Sequence, residues 1–233
     1  MNSSSCACFS ILFFSVSLVS HAYDPKQLER FKITQQCERC DLNELNLSPE
    51  ILESNDFSGA VLTGAYLYGS SIERLDFSNV DARNIMGVGL MLHDNELSYA
   101  DFSYADLPHL KISLWNRGEY ISFLGANLDY GNFSYSILSA PDFFEASMSR
   151  ASLYHVNWSD ANLYGARLRG ADLTYASLIG ADLQYANLED ALLNHADLSY
   201  ANLLNAIVTD EQLANAASIC DAVLPDGSVG YCI

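Results

Sequence analysis

In the stretch "ANLYGARLRGADLTYASLIGADLQYANL", Ala161 to Leu188, alanine returns every five residues and leucine follows two places after each alanine. Neither common backbone period accommodates this. On an α-helix, five steps of roughly 100° turn each repeat by about 140°, which scatters the leucines around the cylinder. On a plain strand five is odd, so successive leucines point to opposite faces. Period five keeps every leucine on one side only if each repeat is a short extended piece followed by a bend. A chain built this way winds around its own leucines as a solenoid, whose single repeat cannot bury its apolar face alone.

Taking the large residue as the centre of each pentad, the centres run Phe123, Leu128, Phe133, Leu138, Phe143, Met148, Leu153 and Trp158. They continue from Leu163 as leucine every five residues to Leu203, and end with Val208. This run holds 18 pentads from Ile121 to Asp210, and 13 of the 18 slots two places before the centre hold alanine. An earlier run, Cys40 to Leu114, holds 15 pentads, of which all but those centred on Ala82 and Gly87 have a large apolar centre. Between the runs "WNRGEY", Trp115–Tyr120, is one pentad plus one residue, so the phase slips there. It reads as a loop insertion, residues 115–120, bulging from one continuous solenoid.

The copies "ADLTY", "ADLQY", "ANLED" and "ADLSY" resemble the A-(D/N)-L-x-x consensus of pentapeptide-repeat proteins, and the resemblance covers residues 40–210. It implies an all-β fold, a right-handed quadrilateral β-helix with one pentad per side and 20 residues per coil. The chain would make about eight coils in a rod roughly 40 Å long. The small slot and the centre point inward, and the other three positions point out. Four centres fill the middle of each layer, so the corners have room only for small side chains. Leu45, Glu50, Asn55, Leu75, Ile85 and Leu90 depart from this, and Gly87 leaves a thin layer. The N-terminal half is therefore expected to be the less regular and less stable half.

Residues 1–22 contain no Asp, Glu, Lys or Arg, carry the apolar stretch "ILFFSVSLV" and end in "SHA". This pattern reads as a cleaved signal peptide, although its first residues lack a basic side chain. Export to the periplasm, a thylakoid lumen or the cell exterior follows, with no membrane span after cleavage. Four cysteines then remain: Cys37, Cys40, Cys220 and Cys232. The implied rod puts the first two at one end and the others at the opposite end. Only the pairing Cys37–Cys40 and Cys220–Cys232 then fits within a monomer. The "CERC" at 37–40 is alternatively a redox-active pair, but it runs directly into the first repeat, and an end clip is the favoured reading. An open solenoid end needs a cover. Residues 23–39 are expected to form an N-terminal capping helix with Leu28, Phe31 and Ile33 on its apolar side. A C-terminal cap over 211–233 begins with a helix N-capped by Asp210, burying Leu213 and Ala216–Ala217, and ends in a disulfide-closed turn.

The sequence has no nucleophile elbow, HExxH, phosphate loop or EF-hand loop, so we expect neither an enzyme nor a cofactor or metal site. Twenty-residue stacking places Tyr135, His155, Tyr175 and His195 in one outward ladder, two places after the centre. A second outward column, one place after the centre, holds Leu124, Phe144, Tyr164 and Leu204, interrupted by Gln184. It is the best interface candidate, for a protein partner or for self-association. Arg150, Arg167 and Arg169 fall on the next side and read as a solvated charge ladder. "NLS", "NFS" and "NWS" at Asn46, Asn132 and Asn157 match the glycosylation pattern, which matters only in a eukaryotic source. The net charge is −18. Such acidity argues against direct nucleic-acid binding, but it suits a DNA-mimicking rod that binds gyrase, as some members of the family do in the cytoplasm. The favoured expectation is a non-catalytic exported scaffold that binds through one side of the solenoid.

Overall fold

The structure, a computed structural model, describes residues 24–34, 37–47, 51–53, 56–112 and 116–232. The proposed signal peptide, Glu50 and Asn55 lie outside the described residues. The described chain forms the right-handed, four-sided β-helix. Its named elements are α1 (Pro25–Thr34), six short strands and α2 (Asp210–Ala214); the strands are β1 (Ile51–Glu53), β2 (Ser71–Glu73), β3 (Met91–His93), β4 (Lys111–Ile112), β5 (Arg117–Glu119) and β6 (Ile137–Ser139). Most of the ladder consists of isolated parallel bridges between coils, such as Asn162 to Asp182 and Asp182 to Asn202. We number the four sides by their centres: side 1 through Leu62 and Leu183, side 2 through Leu67 and Leu188, side 3 through Ile72 and Leu173, side 4 through Phe77 and Leu178.

One pentad accounts for every backbone donor. In Ala181–Tyr185, Ala181 N–H donates to Leu178 O and closes the turn at 3.1 Å; Asp182 N–H donates back to Ala161 O at 2.9 Å. Leu183 and Tyr185 N–H groups donate forward to Asn202 O and Leu204 O at 2.7 and 3.1 Å. The remaining donor, Gln184 N–H, finds the Asp182 carboxylate at 3.1 Å. The same carboxylate-to-backbone bond recurs at Asp56, Asp76, Asp142, Asp172 and Asp197. Asp or Asn before the centre is therefore the acceptor for a backbone N–H that the coils leave unpaired. This gives the acidity of the chain a structural cause.

The last residue of nearly every described pentad has φ near +60°, Tyr175 at 60° and Glu145 at 53° among them. With the turn hydrogen bond, this marks a type II turn at each corner. The slot holds Gly at Gly59, Gly64 and Gly180, where the conformation carries no steric penalty.

The core is a single column of buried centres flanked by buried alanines. Phe102, Phe123 and Phe143 stack coil upon coil at 5.2 and 5.3 Å. The thin layer expected at Gly87 is filled: a Cβ there would lie 3.0 Å from Leu107 and 3.4 Å from Leu90. Large corner residues thus compensate small centres, and Ile85 lies fully buried beside Ala82 in the same way.

The loop expected at 115–120 is corrected. Asn116–Tyr120 is itself one side of a coil, with Arg117, Gly118 and Glu119 paired in register with Ile137, Leu138 and Ser139. The insertion is a single residue between Ile112 and Asn116, and it makes that coil 21 residues long. Gly118 occupies the centre because Ile121 fills the space from the corner; a Cβ on Gly118 would lie 2.8 Å from the Ile121 Cγ1.

The ends also differ from expectation. Winding starts at Cys37, whose N–H donates to Asp56 O at 2.9 Å. It resumes beyond 210, with Ser218 opposite Asp197 and Val223 opposite Asn202. α1 covers the first coil, with Phe31 buried edge-on against Phe57 at 5.5 Å. α2 is N-capped by Thr209 rather than Asp210, because Thr209 and Gln212 form a reciprocal capping box. Gln212 also donates to Leu188 O and Ala191 O, both at 2.8 Å, closing the top of the rod. Leu213 is buried as expected, whereas Ala217 is exposed.

Candidate interaction surfaces

Outward side chains stand in axial columns one coil apart, so chemistry on this rod is organised along its length. Tyr135, His155, Tyr175 and His195 stack on side 3, with centroid separations of 5.4, 4.8 and 4.8 Å and ring planes within 17°. Tyr154 packs edge-on against Tyr135, His155 and Tyr175. Its hydroxyl is pushed above the usual tyrosine range, by loss of solvent first and then by Tyr135 and Tyr175. The stacked faces are spent on one another, so a partner meets ring edges here and not ring faces.

Two further stacks were hidden from the sequence. His109 stacks on Tyr130 at 5.3 Å, with the Arg150 guanidinium 5.9 Å over the same tyrosine, on side 2. Tyr99 stacks on Tyr120 at 5.6 Å on side 4. Both pairs are 21 residues apart, since each spans the inserted residue. A search at 21 as well as 20 across the phase slip would have found them.

The strip Leu124–Phe144–Tyr164–Leu204 lies on side 1 as expected, but all four side chains are half-buried. Phe144 and Tyr164 stack at 5.2 Å with planes 4° apart, and Tyr185 continues from Tyr164 at 5.2 Å. Beside them is a shallow depression of about 300 Å³ bordered by Asp160, Asn162 and Asp182. More exposed apolar side chains lie on side 2, where Tyr66, Tyr68 and Val88 are 36, 42 and 42 % exposed.

Charged groups are mostly engaged locally. Arg83 pairs with Asp81 at 2.6 Å and approaches Asp101 at 3.9 Å. The Arg83 hydrogen bond holds the Asp81 carboxyl below its usual range, against the opposing effect of partial burial. Arg169 reaches Glu189 and Asp190, each at 3.4 Å, while Arg167 is exposed with no carboxylate in ion-pair range among the described residues.

Cys37 is joined to Cys40 and Cys220 to Cys232, so each disulfide clips one end of the rod. Cys37 and Cys40 are buried under α1. The Cys220–Cys232 bond closes the turn that carries the antiparallel Val223–Val229 bridge. No helix among the described residues is long and apolar enough to cross a membrane.

The family model described as Pentapeptide repeats matches residues 52–84, 146–184 and 176–210, in eight copies. No curated protein sequence matches this chain. Among solved structures, it is similar to HetL, a pentapeptide repeat protein involved in heterocyst differentiation regulation in the cyanobacterium Nostoc sp. strain PCC 7120. Identity is 28 %, with 90 % of this chain and 100 % of HetL covered and a TM-score of 0.44. It is also similar to QnrB1, a plasmid-mediated fluoroquinolone resistance protein, at 19 % identity over 73 % of this chain and 93 % of QnrB1, with a TM-score of 0.46. A pentapeptide repeat protein of the Arabidopsis thaliana thylakoid lumen is 26 % identical over 46 % of this chain and 79 % of its own, with a TM-score of 0.26.

Proposed function

This chain belongs to the pentapeptide-repeat family, and from that premise we propose that it is a non-catalytic, exported scaffold that binds a protein through one side of its solenoid. The observation that carries the reading is the axial order of its outward side chains. Large apolar and aromatic groups stand in columns fixed by the winding, which presents them as a rigid, pre-organised surface. The Leu124–Phe144–Tyr164–Leu204 strip is the proposed contact, with Phe144 and Tyr164 at its middle.

Changing Phe144 and Tyr164 together to Ser is expected to leave the circular dichroism spectrum unchanged. Association with a partner recovered by the native protein should weaken by about tenfold or more, as for two buried interface aromatics. Association that survives the change removes this strip from the proposal.

Export is supported by the uncharged N-terminal segment ending in "SHA" and by the two end clips. Protein isolated from its native source is expected to begin at Tyr23. Its mass should rise by about four hydrogens on reduction of two disulfides. Full-length, fully reduced protein would reject export.

A second reading, a DNA-mimicking rod directed at gyrase, is favoured by one feature. Sides 1 and 4 are adjacent, and between Asp41 and Asn205 their outward positions carry thirteen carboxylates against two cations. A supercoiling assay in which the protein neither inhibits nor protects gyrase rejects it.

A further inference from the structure

Charge is divided unevenly around the rod. Between Asp41 and Asn205 the outward positions of side 1 set seven carboxylates against one cation, and those of side 4 set six against one. Side 2 sets Asp106, Asp129, Glu189 and Asp190 against Arg150, Arg167 and Arg169. These three arginines are the only Lys or Arg after Arg117, and all sit on one side in two adjacent coils. The other half of the same side carries Tyr66, Tyr68, Met86 and Val88, with no charged residue among the outward positions of those two coils.

We infer that side 2 is a homodimer interface, in which two copies of this chain pack face to face and antiparallel across a twofold axis between the coils of Asp106 and Asn127. The geometry selects this occupant in three ways. A flat side running the length of the rod is matched along that length by another equally flat side, and sheets pack this way about 10 Å apart. Two rods of net charge −18 repel each other, and side 2 is where that repulsion is locally cancelled. The antiparallel register is also chemically complementary. Counting coils outward from the axis, Met86 and Val88 of one copy face Ser147 and Ser149 of the other, and Tyr66 and Tyr68 face Arg167 and Arg169. Arginine over tyrosine is a favourable cation–π contact, and Arg167 is free to make it. A parallel pair would instead set the arginine clusters against each other.

Side 3 also segregates its cations, Arg74 and Lys111, from exposed Tyr135, Tyr175 and Leu192. It has two cations to the three of side 2, however, and its tyrosine faces are already stacked on His155 and His195. The twofold axis closes the assembly at two copies, so no filament follows. The six coils from that of Tyr66 to that of Arg167, at about 4.8 Å each, make a face roughly 30 Å long and about 10 Å wide. Such a face covers about 300 Å² on each copy, on the order of 600 Å² in total, below the size of a stable specific interface, so the dimer is weak and should dissociate on dilution.

The test is sedimentation equilibrium of the disulfide-intact protein over a dilution series, comparing native, Tyr68→Lys, Tyr68→Glu and Ile137→Lys chains of unchanged circular dichroism. Native protein is expected to shift from monomer to dimer as concentration rises. Tyr68→Lys places an ammonium against Arg167 and Arg169 and should raise the dissociation constant about tenfold or more. Tyr68→Glu places a carboxylate there and should dissociate less readily than the lysine variant. This order runs against net charge, since lysine makes the chain less negative and glutamate more so. Ile137→Lys, on side 4, should match the native protein. A monomer at every concentration overturns the proposal. So does a dimer that Tyr68→Lys leaves unchanged, or one weakened more by glutamate than by lysine. The strip on side 1 takes no part, so Phe144 and Tyr164 variants should dimerise normally, whatever becomes of the scaffold reading.

Discussion

Trp158→Ala is expected to destabilise the protein by about 3–5 kcal/mol, the largest effect of any single truncation considered. Trp158 is the centre of its side-4 pentad and is fully buried. Its indole stacks on Phe143 at 4.5 Å and meets Phe133 edge-on at 5.4 Å. The indole N–H donates to the buried Ser136 hydroxyl at 3.0 Å. Alanine removes two aromatic contacts, opens a cavity the size of the ring system and deprives Ser136 of its partner. Neighbouring coils are held by the same backbone ladder and cannot collapse inward to refill it. Trp158→Phe keeps most of the volume and should cost about 1–2 kcal/mol, mainly the lost hydrogen bond. Urea unfolding followed by circular dichroism separates the two. Equal losses would mean that the layer repacks freely.

Asn116→Ala is expected to cost about 2–4 kcal/mol, because it leaves several buried polar groups without partners. Asn116 is a corner residue, 2 % exposed. Its Oδ1 accepts from the Asn95 N–H at 2.9 Å and from the Asn95 side-chain amide at 3.1 Å, and its own amide donates to Leu92 O at 2.7 Å. One coil below, the Asn95 Oδ1 accepts from the Leu75 N–H at 3.0 Å, and its amide donates to Ile72 O at 2.8 Å. At other corners those two backbone groups bond to each other across the turn, as Ala65 N–H does to Leu62 O. Here the turn is open, and an asparagine from the next coil bridges it. The two asparagines act as one unit, so the Asn95→Ala, Asn116→Ala double variant should lose less than the sum of the single losses. Additive losses in urea unfolding would show that the bridges are independent.

Both residues bear on what could be read in advance. Trp158 was legible: it stands on the five-residue beat, and its burial follows from the beat alone. Asn116 was not, because it lies in "WNRGEY", where the beat slips and a loop was the natural reading. The structure keeps the winding through that segment by letting Gly118 occupy a centre and Ile121 reach in from the corner. No period detects such an exchange, since each residue is out of pattern and only their sum has the right volume. The same holds for Gly87 with Leu90 and Leu107. The side-1 strip is half-buried rather than fully outward, with Phe144 stacked on Tyr164 and Tyr164 against Tyr185, which the five-residue beat alone does not reveal.

The sequence by itself determined the coil: which residues point inward, where each bend falls, and why Asp or Asn precedes each centre. All of these are local, decided within five residues by side-chain volume and by one backbone N–H in need of an acceptor. Only the tertiary structure decided which residues are neighbours one coil apart. That relation depends on every residue in the intervening turn, so one inserted residue between Ile112 and Asn116 moves all later partners by one. The insertion sets His109 on Tyr130 and Tyr99 on Tyr120 at 21 residues instead of 20, and the winding of Asn116–Tyr120 as a full side puts the three arginines on the same side as Tyr66 and Tyr68.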